Sequence, residues 1–200
     1  MKLFEVCEIT HEPIIKILEW IKEADDLSSP LPHAMNLATV EGGIPSSRMV
    51  LMKRLSDEGI VFFTDYQSKK GRCIKKNSKV ALNFWWPITD KQIRIEGNAN
   101  KVSKEESDEY FASRPLGSKI SAFVSHQSAK IDSYQNLVDE AKKFTDITSA
   151  KDIIRPERWG GYLVQPLLIE FWINQTNRLH KREVFEKDRK GNWNVSLLSP

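Results

Sequence analysis

Arg178, His180 and Arg182 alternate along Arg178-Leu179-His180-Lys181-Arg182, shortly after Glu170-Phe171-Trp172. Alternate side chains of an extended strand share a face. A strand here predicts two guanidiniums and an imidazole on one side, with Leu179 and Lys181 on the other. Two cations flanking an imidazole repel one another in isolation. Beside an aromatic wall, such a face makes most sense turned toward an anion, so the pattern points to a bound anionic ligand.

Four further constellations could carry chemistry. Thr64-Asp65-Tyr66-Gln67-Ser68-Lys69-Lys70 reads as a strand passing into a helix, with the Ser68 hydroxyl at the cap and two lysines in the first turn. Orphan amides and the helix dipole make such an N-terminus a natural phosphate site. Lys69 and Lys70 are locally unfavourable there until an anion reverses the sign; a lysine-rich solvated helix is the plainer alternative. Arg48-Met49-Val50-Leu51-Met52-Lys53 reads as a strand with a cation near each end. Parity puts Arg48 and Lys53 on opposite faces, so both serve one site only if a bulge intervenes or two parts of a ligand wrap an end.

Tyr110 and Arg114, four apart, share a helix face ahead of Pro115. Ser118 follows as a candidate cap for a helix over 119–125. Phenol, guanidinium and hydroxyl together suit a phosphomonoester, against the plainer alternative of an exposed helix end with an ordinary arginine. Ser125-His126-Gln127-Ser128, with Gln92 on a neighbouring strand, offers amide hydrogen bonds to a heteroaromatic ring. Trp85-Trp86 reads as core and interface rather than as a stacking platform.

Other chemistries have no matching pattern. The chain lacks a glycine-rich Rossmann fingerprint, a P-loop, an HExxH motif and a nucleophile elbow. His11, His33 and His126 sit in no pattern with a partner carboxylate, which argues against a hydrolytic triad or a zinc site. Hydride chemistry on an organic cofactor fits the remaining inventory, because the cofactor supplies the reactivity that the side chains lack. A net charge of +3 is too weak a field to argue for nucleic acid, despite the local cluster Lys69-Lys70-Gly71-Arg72 and Lys75-Lys76. Cys7 and Cys73 form no framework and are expected to be free thiols in a reducing compartment. Acidic residues stand within 1–12 where a signal peptide needs an apolar run, and no segment has the length of apolar sequence a membrane helix needs. A cytoplasmic protein with no membrane partner is the expectation.

The elements that must position these residues are mostly strands. Residues 13–24 predict an amphipathic helix, with Ile14, Ile15, Ile17, Leu18 and Ile21 at helical spacing. Short β-type runs follow at 33–40, 46–55, 60–64, 80–86 and 92–102, with Glu41-Gly42-Gly43 and Asp57-Glu58-Gly59 as hairpin turns. Helices are expected after Ser68, after the capping box Ser103-Lys104-Glu105-Glu106, and over 131–144. Strands return at 161–164, 167–173, 178–185 and 193–198. The whole predicts a single domain over 1–200, mainly β: a helical segment over 1–30, then an antiparallel barrel over 31–200 with inserted peripheral helices.

In order, these segments resemble the pyridoxine (pyridoxamine) 5′-phosphate oxidase family, which binds FMN in a Greek-key split β-barrel. The resemblance runs from Pro32-His33-Ala34-Met35 to Leu198-Ser199-Pro200 and rests on separate motifs. They include Arg48 to Lys53, Phe63-Thr64, Ser68-Lys69-Lys70, Tyr110-Phe111-Ala112-Ser113-Arg114-Pro115, Gln127-Ser128, Trp159-Gly160-Gly161, Glu170-Phe171-Trp172 and Arg178-Leu179-His180. It implies that Arg48, Met49, Val50, Leu51, Met52, Lys53, Phe63, Thr64, Ser68, Lys69, Lys70, Gln92, Gln127, Ser128, Trp172 and Arg182 hold FMN. It implies that Lys53, Tyr110, Arg114 and Ser118 grip the substrate phosphate, while Arg178, Leu179 and His180 meet its pyridine end, with Arg178 and His180 catalytic. The implied reaction passes a hydride from the C4′ carbon of pyridoxine or pyridoxamine 5′-phosphate to the flavin, and dioxygen then takes the electrons to give hydrogen peroxide. The implied assembly is a homodimer with FMN at the subunit interface.

Two residues depart from the family pattern. Lys181 replaces the acid of Arg-Leu-His-Asp-Arg, on the strand face away from Arg178 and His180, and Phe63 stands where Tyr is common. Alternatives on the same fold are a flavin oxidase of phenazine-type biosynthesis, whose substrates carry no phosphate, and a flavin-binding protein without turnover. The intact phosphate set favours the vitamin B6 substrate over the first. Intact Arg178 and His180 argue against the second.

Overall fold

The computed structural model describes residues 4–147 and 153–200. After the short strand β1 (Glu5–Val6) comes α1 (Glu12–Asp26), then β2 (Ala34–Glu41), β3 (Ile44–Leu51), β4 (Arg54–Ser56) and β5 (Gly59–Asp65). Helix α2 (Lys69–Lys76) leads to β6 (Lys79–Trp86) and β7 (Lys91–Lys101). Three helices follow, α3 (Lys104–Ser113), α4 (Leu116–Val124) and α5 (Tyr134–Ile147), before β8 (Trp159–Ile173), β9 (Lys181–Lys187) and β10 (Trp193–Leu198).

The described strands form one sheet in the order β1-β4-β5-β8-β7-β6-β2-β3, with β9 on β8 and β10 on β9. All pairings are antiparallel except the short β1–β4 contact. Strand β8 splits the sheet. One of its edges pairs with β7, while the other pairs first with β5, over 159–164, and then with β9, over 168–173. Pro166 lies in the gap between those partners, opposite the register shift at Glu96/Gly97, where its missing N–H costs no ladder bond. This is why 161–164 and 167–173, expected as two strands, are one.

The opposite correction applies to 46–55, which is two strands. At Met52-Lys53 the backbone changes neighbours: Met52 N–H donates to His33 O at 3.0 Å, and Lys53 N–H donates to Val61 O at 2.8 Å. The chain thereby passes from the β2 end of the sheet to the β5 end, which closes the barrel. The β2–β3 turn is the expected two-residue hairpin. Gly42 and Gly43 have φ of 57° and 80°, the left-handed pair that matches strand twist.

Alternation sends Met35, Leu37, Phe62, Leu82, Phe84, Ile93, Ile95, Ile169 and Phe171 inward, all essentially buried. Helix α1 joins that core through Ile14, Ile17, Trp20 and Ile21, and the Trp20 ring meets Phe171 edge-on at 5.0 Å. Ile15, counted in the apolar pattern, is exposed. A second core under α3–α5 gathers Phe111, Ile120 and Trp159.

Capping follows expectation with two changes. Ser68 and Ser103 accept from Gly71 N–H and Glu106 N–H, but the Glu106 carboxylate turns to Arg54 rather than back to the cap. Helix α4 begins at Leu116 behind Pro115, so Ser118 lies within its first turn and is not its cap. Pro115 holds the cap position, and its carbonyl accepts from Ser118 N–H at 3.0 Å and Lys119 N–H at 3.1 Å.

Gly97 should tolerate no side chain, because an added Cβ would lie 2.2 Å from the Gln165 carbonyl oxygen. Gly97→Ala is expected to destabilise the protein by roughly 1–3 kcal/mol, read as a melting temperature lower by several degrees. An unchanged melting temperature would show that the bulge yields freely.

Candidate active site

The expected helix N-terminus exists and is densely wired. Lys70 Nζ donates to Gln127 Oε1 at 2.7 Å and to Thr64 Oγ1 at 3.2 Å, and Thr64 Oγ1 in turn donates to Gln127 Oε1 at 3.0 Å. Lys69 N–H donates to Ser128 Oγ at 3.2 Å. Helix α2 and the loop after α4 thus bring Thr64, Lys69, Lys70, Gln127 and Ser128 together, with Ser68 fully buried beneath them as the cap. Burial, and then the Arg48 charge, push the Lys70 ammonium down to about 8 against the pull of Asp65. Asp65 is itself engaged by Arg158 and by Gln67 N–H. Arg48 donates to Thr39 Oγ1 and Ser46 Oγ, both at 2.8 Å, and to Leu37 O. Among the described residues no carboxylate is bonded to Lys70 or Arg48, and two such desolvated cations make this end of the barrel suited to a phosphate.

The neighbouring residues of β3 divide. Met49 is exposed, Val50 and Leu51 are partly buried, and the Met52 side chain is fully buried in the core. Met52 also spends its N–H on His33.

A second cationic group lies in a cavity of about 690 Å³ whose walls include Lys53, Tyr110, Arg114 and Ser118. These come from the β3–β4 crossover, α3 and α4, so the four residues of the proposed phosphate set share one space. The parity conflict between Arg48 and Lys53 disappears because the strand is interrupted at 52–53: the two cations serve different places. Burial, and then Arg114, lower the Lys53 ammonium; burial lowers Arg114. Arg114 Nη1 is buried without a partner among the described residues, and its guanidinium lies 4.5 Å from the Trp159 ring. Phe63 stacks on Tyr110 at 3.9 Å with a 12° tilt, and on Trp159 at 5.5 Å. Its ring braces the cavity wall.

The strand expected over 178–185 begins only at Lys181. Arg178 closes a 3-10 turn, Thr176–Arg178, with φ of 56° at Asn177 and 62° at Arg178. Left-handed residues cannot continue a strand, so Arg178 and His180 do not alternate with Arg182 on one face. Arg178 and Leu179 are exposed. The His180 ring lies 4.6 Å from that of Trp172, and its Nδ1 accepts from Gln175 N–H at 3.3 Å, which leaves the proton of the neutral ring on Nε2.

Arg182 departs further from expectation. Register sets Trp85, Gln92, Trp172 and Arg182 in one row across four strands. The anion that Arg182 meets there is the protein's own: Nε donates to Glu170 Oε1 at 2.7 Å and Nη2 to Oε2 at 3.1 Å, with Arg94 on the same carboxylate. Burial raises Glu170, but the hydrogen bonds from Arg182 and Arg94 outweigh it and hold the carboxyl below its usual range. Sequence reasoning used Glu170 only as a neighbour of the aromatic wall. Its i, i+2 spacing to Trp172 was the available signal, but the register that brings Arg94 and Arg182 to it was not. Lys181 lies off the Arg182 face, as parity predicts.

A split β-barrel with two separate cationic sites and an aromatic row defines the class. Residues 22–147 match the family described as pyridoxamine 5′-phosphate oxidase, and residues 159–200 match the pyridoxine 5′-phosphate oxidase C-terminal dimerisation region. The chain is 47% identical over 192 residues to a pyridoxine/pyridoxamine 5′-phosphate oxidase of Haemophilus influenzae, covering 94% of this chain and 89% of that one. It is 43% identical to the protein of that name from Psychromonas ingrahamii, covering 98% and 90%. A crystal structure of PhzG from Burkholderia lata, in complex with tetrahydrophenazine-1-carboxylic acid, matches with a TM-score of 0.90 at 30% identity over 96% and 94% of the two chains. The chain belongs to the pyridoxine/pyridoxamine 5′-phosphate oxidase family. No described helix is long and apolar enough to cross a membrane.

The Lys70 environment has a measurable consequence in protein stripped of ligand. The unfolded chain keeps its Lys70 proton up to about 10.5, whereas the folded chain releases it near 8. Between those values the unfolded state binds more protons, so this group makes stability rise with pH. Lys70→Met should therefore melt higher than the parent at pH 7, with the gap closing toward pH 10.5, and should bind FMN about tenfold to a hundredfold more weakly. A gap that widens with pH in melting curves would contradict this account.

Proposed function

We propose that the chain is an FMN-dependent oxidase that converts pyridoxine and pyridoxamine 5′-phosphates to pyridoxal 5′-phosphate, with dioxygen as electron acceptor and release of hydrogen peroxide. The observation that carries this is the convergence of Lys53, Tyr110, Arg114 and Ser118 on one cavity, in a chain of this family. Two desolvated cations with phenol and hydroxyl donors suit a phosphate dianion.

The donor set at the other end of the barrel fits FMN. Arg48, Thr64, Lys69, Lys70, Gln127 and Ser128 would hold its phosphate and ribityl chain, and Gln92, Trp172 and Arg182 its ring end. When bound, FMN supplies the hydride acceptor and the route for electrons to dioxygen. The residues of the chain then bind and orient. A phosphate held by Lys53 and Arg114, remote from the reacting carbon, converts binding energy into orientation. Glu170 fixes Arg182, and His180 offers an Nε2–H donor beside Trp172.

The walls of the phosphate cavity include no residue of 178–182. Together with the dimerisation-region match, this supports a homodimer in which FMN lies at the interface and each site draws Arg178 and His180 from one chain and the phosphate set from the other. The free thiols Cys7 and Cys73 are consistent with a cytoplasmic setting.

The PhzG likeness supports a second reading, oxidation of an unphosphorylated tricyclic substrate. Oxygen uptake separates the two. Purified protein should be yellow and consume oxygen with pyridoxamine 5′-phosphate; uptake only with unphosphorylated tricyclic substrates would establish the second reading. Arg114→Ala should raise the KM for the phosphorylated substrate by about tenfold to a hundredfold while FMN affinity stays near that of the parent. Loss of FMN affinity with KM unchanged would mean that the two phosphate sites are exchanged.

A further inference from the structure

Three further polar residues line the Lys53–Arg114 cavity, Glu5, Ser113 and His33, and of these His33 alone is buried. It lines the same walls as Lys53, Tyr110, Arg114 and Ser118, yet is only 3% exposed. Its backbone is pinned: Met52 N–H donates to His33 O, Trp86 Nε1–H donates to the preceding Pro32 O at 2.9 Å, and Ala34 N–H donates to Leu31 O at 2.8 Å. The imidazole is held on one side by the Phe4 ring, at 6.3 Å and a 30° tilt. Its Nδ1 is buried and has no hydrogen-bond partner among the described residues.

Nδ1 has no accessible surface, so a ligand in the cavity can meet the ring only at its Nε2 edge. An imidazole carries two hydrogen-bonding nitrogens, and leaving one buried and unmatched costs free energy that a leucine at the same place would avoid. The site is also adverse for charge, since burial and then Lys53 disfavour protonation while only the Asp25 charge opposes them. The ring is therefore a neutral hydrogen-bonding group beside two cations. A neutral donor adds directional binding to a phosphate without increasing the repulsion between Lys53 and Arg114. Its place at the crossover fixes its distance from Lys53, because the residue that accepts from Met52 N–H is His33 itself.

We propose that His33 is a substrate-binding residue, whose imidazole hydrogen-bonds the phosphate end of the substrate in the Lys53–Arg114 cavity. This rests on the oxidase reading above, and the parent enzyme's own turnover separates the two: a parent inactive on pyridoxamine 5′-phosphate fails that reading, whereas an active parent leaves His33 to be judged alone.

The experiment compares His33→Leu, His33→Asn and His33→Gln as FMN-loaded enzymes. His33→Leu should raise the KM for pyridoxamine 5′-phosphate about tenfold with kcat within twofold and FMN affinity unchanged. Rescue by Gln, whose amide reaches the place of Nε2, counts in favour; rescue by Asn alone, or by neither, overturns the proposal. A KM unchanged in His33→Leu, or a KM rise matched by weaker FMN binding, would overturn the proposal and make the ring a packing residue. A measurement on the parent does not depend on variants folding: the His33 imidazole resonances in 15N NMR should shift on adding pyridoxal 5′-phosphate and stay put with unphosphorylated pyridoxal. Resonances that do not move with the phosphorylated compound would also sink it.

Discussion

The two backbone bonds at Met52-Lys53 organise the rest of the molecule. With Met52 N–H on His33 and Lys53 N–H on Val61, one strand leaves β2 and joins β5 without a loop. That step closes the barrel, and a closed sheet hides edges that would otherwise need covering. It also separates two cations only five residues apart in sequence. Arg48 stays at the barrel end beside α2, whereas Lys53 enters the cavity with Arg114. The two proposed anion sites, on one continuous segment, follow from a single change of hydrogen-bonding partner.

The electrostatic pattern separates cations that meet a carboxylate of the chain from cations that do not. Arg182 and Arg94 share Glu170, Arg158 meets Asp65, and Lys16 meets Glu183; each has a carboxylate of the chain. Among the described residues, Lys70, Arg48 and Arg114 have hydroxyl, amide, carbonyl or aromatic neighbours instead, and Lys53 lines a cavity with Arg114. Burying like charges near one another opposes folding, and rigid surroundings make that cost a preorganised attraction for an anion. The Phe63–Tyr110–Trp159 stack supplies rigidity at the cavity, and it is insensitive to the hydroxyl that Phe63 lacks because the ring faces are what pack.

Glycine and proline mark where regularity gives way. Gly42-Gly43 makes a tight hairpin, and Pro166 occupies the one stretch of β8 where partners change. The turn at Asn177-Arg178 is different, because neither residue is glycine and both hold positive φ. Strain of this kind persists where surrounding structure demands it, here at the two residues that lead into His180.

Local pattern in the sequence was enough for most strands, the Ser68 and Ser103 caps, the two-glycine hairpin and the cationic residues gathered at Lys69-Lys70, because each depends on residues within a few positions of one another. Part of the proposed phosphate set was legible for the same reason at Tyr110 and Arg114, which one helical turn brings together. The convergence of Lys53 and Ser118 on that pair was not, since it requires the barrel to close and α4 to dock. Nor was the capture of Arg182 by Glu170, which depends on register between strands far apart in the chain, or the role of His33, whose neighbours lie dozens of residues away. Residue type and short-range spacing determine which groups can do chemistry. Which of them share a solvent-excluded space, and which are neutralised by the protein itself, is decided only when distant strands fall into register.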